Sequence, residues 1–212
     1  MGLLNWGAAY RNLLDNPRIM PHMEELLGQS FRLDHDYIDL IRPSKGSSLG
    51  DAVKGPIGTT LHGGSTPFDP SQYFHFQDGR MHNGLTVVAY NLRDVNEGDG
   101  GFGCVPGSHK SNYAFPDEWR NLDRWQPFMR AVTGPAGTAI IFTEALTHGT
   151  LPWRGAGERR TVFLKYCPNP ISWASSFYKA EDYEGLTETQ QAILEPPNAR
   201  YKGRVVSWGR QR

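Results

Sequence analysis

Apolar residues follow a helical period only near the two ends of the chain. Met20, Met23 and Leu27 recur on one face of a predicted helix that ends at Gly28. Near the C-terminus, Thr187 stands where a capping residue would precede the helical run ETQQAILE. Between these two segments the hydrophobic pattern indicates strands.

Four segments have the hydrophobic pattern of strands, in which apolar and polar residues alternate or apolar residues run continuously. Gly- and Pro-rich connections such as NEGDGGFG and PWRGAGE separate them, which is typical of an all-β sandwich or barrel and not of βαβ units. The sequence therefore predicts a mainly β fold, a jelly-roll or cupin-like double-stranded β-helix with a few flanking helices. The predicted strands are 31–41 (FRLDHDYIDLI), 85–92 (LTVVAYNL), 138–142 (TAIIF) and 160–166 (RTVFLKY).

The length of 212 residues is enough for one sizeable core. We expect a single domain over 1–212. It would comprise a helical N-terminal segment (1–30), the barrel core (31–166) and a C-terminal extension (167–212).

Charge and hydropathy narrow the possible partners. The chain carries 22 basic and 22 acidic residues, so it has no broad basic surface for nucleic acid. No apolar run approaches the roughly 18 residues of a membrane span, and the N-terminus lacks the pattern of a signal peptide. We expect a cytoplasmic protein that binds a small molecule and neither nucleic acid nor membrane, while its oligomeric state stays open.

Two of the seven histidines stand out by their surroundings. His62 lies in TTLHGG and His148 in FTEALTHGT, each beside glycine, which lets a small ligand approach the backbone. A barrel can bring residues this far apart in sequence to one cavity. Both are candidate metal ligands.

The run from Leu61 to Tyr166 resembles the phytanoyl-CoA dioxygenase family of iron(II)- and 2-oxoglutarate-dependent oxygenases. The matching features, in order, are His62, a strand with an acidic glycine-rich turn, VPGSHK, and GTAIIF leading to THGT. The resemblance implies iron(II) held by two histidines, His62 and His148, and one carboxylate, with 2-oxoglutarate and O2 as cosubstrates. Family members usually carry more residues before the first helix, so we expect that an outer strand or cap is missing.

The resemblance also implies the residues that bind 2-oxoglutarate. Thr150 matches a hydroxyl position, and Arg159 matches the guanidinium that binds the far carboxylate. Tyr90 matches an aromatic position beside the cosubstrate. Arg160 is the alternative to Arg159, because strand alternation turns only one of the two inward.

This chain departs from the family at the position of the carboxylate ligand. Where the family has an aspartate two residues after the first histidine, this chain has Gly64. Three hypotheses follow. In the first, another carboxylate completes the triad of a hydroxylase that acts on an unactivated C–H, with Glu144 favoured over Asp69. In the second, Gly64 leaves room for chloride on the iron, as in a halogenase. In the third, the barrel binds a small molecule without catalysis.

Overall fold

The computed structural model describes residues 2–42, 60–122 and 126–199, which form strands flanked by short helices. None of its helices is long and apolar enough to span a membrane within these described ranges. The helices are α1 (Ala8–Arg11), α2 (Met20–Leu27) and α3 (Glu188–Ile193). The strands are β1 (Phe31–Ile41), β2 (Phe74–Gln77), β3 (Arg80–Asn83), β4 (Thr86–Asn91), β5 (Gly101–Cys104), β6 (Arg130–Ala131), β7 (Ala139–Thr143), β8 (His148–Leu151) and β9 (Arg159–Pro168).

Two antiparallel sheets form the body of the protein. The larger has the strand order β1-β9-β4-β7, and the smaller has the order β6-β5-β8. Side chains from both sheets share one apolar cluster, in which Phe142 and Phe163 of the larger sheet pack with Phe102 of the smaller. This architecture confirms the predicted mainly β, cupin-like fold.

Strand alternation in β9 separates the interior between the sheets from the outer core. Val162, Leu164 and Tyr166 pack in the outer cluster, whereas Phe163 faces the space between the sheets. Arg159 and Lys165 share the parity of Phe163. Both are therefore expected on the inner face.

Helices cover the outer face of the larger sheet. Met23 of α2 is fully buried in the outer cluster, and Gly28 ends this helix at a φ of 80°. At α3, the Thr187 hydroxyl accepts a hydrogen bond from the Gln190 N–H, and the Gln190 side-chain oxygen accepts one from the Thr187 N–H. This reciprocal cap confirms the predicted start of the C-terminal helix.

Candidate metal centre

A small cavity lies between the two sheets. Its volume is about 260 Å³, and its lining combines aromatic side chains with a polar group at the ends of β7 and β8. The aromatic walls come from Phe102, Phe142 and Phe163, and His62, Glu144 and His148 form the polar group. Such a site combines apolar walls with a polar end that could bind a metal.

Backbone pairing joins the two candidate histidines. The His62 N–H donates to the His148 carbonyl at 2.8 Å, and the His148 N–H donates to the His62 carbonyl at 2.9 Å. This isolated antiparallel bridge brings the imidazole centroids to 4.2 Å from each other. The fold thus joins two residues that are far apart in sequence.

Glu144 reaches the histidines because a glycine lets two backbone segments touch. A Cβ atom at Gly63 would lie 2.4 Å from the Leu146 carbonyl oxygen and 2.7 Å from that of Glu144. Gly63 also has a φ of 73°, in the left-handed region. Only glycine fits there, and its absent side chain allows the His62 loop to lie against the turn that carries Glu144.

The three side chains form a set of donors suited to a divalent first-row metal. One donor atom from each of His62, Glu144 and His148 lies within 4.8 Å of the other two, and no other such group of three occurs in the described parts of the chain. Glu144 Oε2 is 3.8 Å from His148 Nε2. Two imidazoles and one carboxylate are the donor types of a facial triad.

Hydrogen bonding and burial prepare both imidazoles for coordination. His148 Nδ1 lies 2.7 Å from the Leu146 carbonyl oxygen, so this nitrogen carries the proton and Nε2 is left free toward Glu144. Burial lowers the pKa of His148 to about 4, and burial also lowers the pKa of His62. Both rings are therefore neutral at pH 7, as a metal ligand requires.

Glu144 remains ionised although it is deeply buried. Burial pushes its pKa upward, but the ammonium of the neighbouring Lys165 favours the ionised carboxylate, and the pKa of Glu144 lies below its usual value. The Lys165 ammonium forms an ion pair with Glu144 Oε1 at 2.6 Å. The sequence-based assignment did not include Lys165, although its parity with Phe163 in RTVFLKY is a signal for it.

Arg159 and Thr150 lie on inward-facing positions of β9 and β8, which belong to opposite sheets. Thr150 lines the cavity two residues beyond His148, on the same face of β8. The Arg159 side chain is 2% exposed, and its Nη1 donates to Asp39 Oδ2 at 2.7 Å. Asp39 lines the same cavity, and the sequence-based assignment had not included it.

The register of β9 separates the two candidate arginines. The Arg160 side chain is 45% exposed and pairs with Glu158, on the outward face of the strand. Arg159 is buried, so it is the one of the two that faces the interior. Its role toward 2-oxoglutarate remains a prediction.

Tyr90 does not lie where the resemblance places it. Its ring packs in the outer cluster with Val162, its antiparallel partner across β4 and β9. Its hydroxyl lies 3.5 Å from the Leu13 carbonyl oxygen, to which it donates. Tyr90 therefore belongs to the helix-covered face of the sheet, and the expectation that it lies beside the cosubstrate is corrected.

Neither Asp69 nor Gly64 supplies a third donor beside the two histidines. Asp69 Oδ1 accepts hydrogen bonds from the Ser71 N–H and hydroxyl and from the Gln72 N–H, and Asp69 is outside the donor cluster. Gly64 has a φ of 114°, a conformation that side-chain-bearing residues rarely adopt. Glu144 is thus the carboxylate that the fold brings to the two histidines.

The chain is similar to known proteins in its sequence profile and in its fold. The sequence profile of the phytanoyl-CoA dioxygenase (PhyH) family matches residues 54–161, about half of the chain. No curated protein sequence matches the chain at a significant level.

Similar folds occur among solved structures. HygX from Streptomyces hygroscopicus with nickel and 2-oxoglutarate bound has a TM-score of 0.67 and 21% identity over 87% of this chain and 75% of that one. The iron-bound HygX structure gives 0.66 and 22% over 87% and 78%. The non-heme α-ketoglutarate-dependent epimerase SnoN from nogalamycin biosynthesis gives 0.50 and 21% over 76% and 58%.

These structural likenesses establish the fold, and the profile match establishes the family. The chain belongs to the phytanoyl-CoA dioxygenase family of iron(II)- and 2-oxoglutarate-dependent oxygenases.

Proposed function

We propose that this protein hydroxylates an unactivated C–H bond of a small organic molecule, with iron(II) held by His62, Glu144 and His148. The observation that carries the proposal is the cluster of two neutral imidazoles and one ionised carboxylate at one end of the cavity between the sheets. When bound, iron(II) supplies the activation of O2. Overall, the substrate C–H becomes C–OH while 2-oxoglutarate is oxidised to succinate and CO2.

Arg159 and Thr150 are proposed to orient 2-oxoglutarate. Asp39 engages Nη1 of Arg159, whereas Nε has no hydrogen-bond partner among the residues that the structure describes. A guanidinium has five N–H donors, so donors remain for the far carboxylate of the cosubstrate. Thr150, on the same face of β8 as His148, is placed to add a hydroxyl near the metal end of the cavity.

The position of Glu144 supports hydroxylation over halogenation. A halogenase of this kind needs a vacant anion position on iron, which chloride fills. Here Glu144 places a carboxylate oxygen 3.8 Å from His148 Nε2, in the position to supply that anion itself. Chloride is therefore not expected as a cofactor.

The apolar lining of the cavity supports a substrate other than a polyanion. Phe102, Phe142 and Phe163 would keep water from the reacting atoms, which the oxidation of a C–H bond requires. HygX has also been crystallised with hygromycin B in addition to nickel and 2-oxoglutarate. That complex supports a separate small-molecule substrate for this chain.

Anaerobic titration with iron(II) and 2-oxoglutarate tests the proposal. We expect the weak visible charge-transfer band of the chelated complex, and its loss in both His62→Ala and His148→Ala. His82→Ala, in the β2–β3 hairpin, is the matched control and should keep the band. If folded protein gives no band, the non-catalytic binding barrel replaces the proposal, whereas a chloride-dependent change in the band would favour the halogenase.

A further inference from the structure

The two carboxylate oxygens of Glu144 face different partners, one of which is Lys165. The Lys165 ammonium lies 2.6 Å from Oε1, whereas Oε2 faces His148 Nε2 at 3.8 Å. Lys165 extends from the inner face of β9, and Glu144 follows the end of β7. The carboxylate is therefore held with one oxygen on the lysine and the other toward the imidazoles.

The lysine is confined to this position. Its side chain is 14% exposed, and its Nζ lies 5.4 Å from the centroid of the Tyr37 ring. That ring is itself stacked on Phe163 at 4.8 Å. The ammonium is thus held between an aromatic face and a carboxylate, with little freedom to leave either.

The orientation of Glu144 decides how many positions a metal keeps for other ligands. With two histidines and one carboxylate oxygen, a six-coordinate ion keeps three positions, which suffice for chelating 2-oxoglutarate and one further ligand. If both carboxylate oxygens bound the ion, 2-oxoglutarate would occupy the last two positions. No position would then remain for O2.

We propose that Lys165 is a positioning residue that holds Glu144 as a one-oxygen ligand and so keeps the position for O2 open. This inference rests on the proposed function of the His62, Glu144 and His148 site. It adds to these three residues a lysine whose contribution is made through Glu144 and not by contact with the metal.

Lys165→Met tests the proposal because methionine approximates the length of the side chain and removes the ammonium. Freed from the lysine, Glu144 Oε1 can turn onto the metal. Arg160→Met is the matched control, since it removes a cation from the same strand, where the side chain is 45% exposed and pairs with Glu158. It should leave the metal centre unchanged.

The readout is water-proton relaxation of protein loaded with Mn(II) and 2-oxoglutarate, which reports whether the ion keeps an exchangeable water. We expect wild type and Arg160→Met to keep one water and Lys165→Met to lose most of the relaxation enhancement. Wild-type relaxation in Lys165→Met would overturn the proposal. Wild-type protein that binds no Mn(II) would show no enhancement in any variant, which would overturn the proposed function together with this inference.

A crystal structure of wild type with Mn(II) and 2-oxoglutarate decides the question even if Lys165→Met does not fold. The proposal expects Glu144 Oε2 on the metal and Oε1 still within hydrogen-bond distance of Lys165 Nζ. Both oxygens on the metal would overturn the proposal and leave the proposed function standing.

Discussion

Gly63→Ala should disrupt the metal centre by separating the two segments that carry it. A Cβ atom at this position would lie 2.4 Å from the Leu146 carbonyl oxygen, and ordinary contact begins at 3.4 Å, so the turn must withdraw by about 1 Å. The same turn carries Glu144, and the Leu146 carbonyl holds His148 Nδ1. One added methyl group therefore displaces two of the three donors.

Two costs combine in this variant, and a second glycine separates them. The left-handed φ of 73° adds about 1–2 kcal/mol for any side chain, and the steric overlap adds roughly 1–3 kcal/mol. Gly79→Ala is the matched control, because Gly79 has a φ of 76° and a Cβ there would meet nothing within 4 Å. Gly79→Ala should lose only the first amount of stability.

The assay is chemical denaturation combined with calorimetric titration of metal into each variant. We expect the metal affinity of Gly79→Ala to match wild type and that of Gly63→Ala to fall by at least about tenfold, which corresponds to 1.4 kcal/mol. Equal stability losses and equal metal affinities in the two variants would refute the reasoning. They would show that the contact between the Gly63 loop and the turn does not hold the donors together.

Three further predictions concern ionisable groups in and beside the cavity. Arg159→Ala should weaken 2-oxoglutarate binding by about 2–5 kcal/mol and leave metal binding nearly unchanged. Arg160→Ala should leave the binding of both nearly unchanged. Calorimetry on both variants checks this, and equal effects on 2-oxoglutarate binding would contradict the assignment of Arg159. In metal-free protein, Glu144→Gln and Lys165→Met should each lower the free energy of unfolding by about 3–5 kcal/mol, because each leaves a buried charge unpaired. The double variant should recover most of the lost stability. Additive losses in chemical denaturation would show that the two residues are not coupled. Burial lowers the pKa of His148 to about 4 in the folded state, whereas a histidine in the unfolded chain has its ordinary pKa of about 6.5. The unfolded chain therefore binds the proton first on acidification, and metal-free protein should lose roughly 3 kcal/mol of stability between pH 6.5 and pH 4. Denaturation across this pH range checks it, and His148→Gln should flatten that part of the stability curve.

The long, strongly patterned elements were predictable from the sequence, and the short glycine-containing ones were not. The predicted strand 31–41 coincides with β1, and the predicted strand 160–166 lies within β9, because many apolar side chains alternate there. The four-residue strands β5 (GFGC) and β8 (HGTL) escape detection, because glycine carries no side chain to show alternation. They pair only because the fold brings them together.

The candidate site shows the same division. His62, Glu144 and His148 were predicted from motif and local context, and the structure brings all three together. Tyr90 was misplaced because its position in a motif does not reveal which face of β4 it occupies. Lys165 was missed because a buried cation becomes meaningful only once its partner across the cavity is known.

Anomalous diffraction from crystals grown with iron(II), 2-oxoglutarate and bromide tests the central claim most directly. The account predicts one iron bound by nitrogen atoms of His62 and His148 and by a Glu144 oxygen at about 2.0–2.2 Å, with no bromide on the metal. Bromide bound to iron beside Gly64, with Glu144 paired only to Lys165, would contradict it.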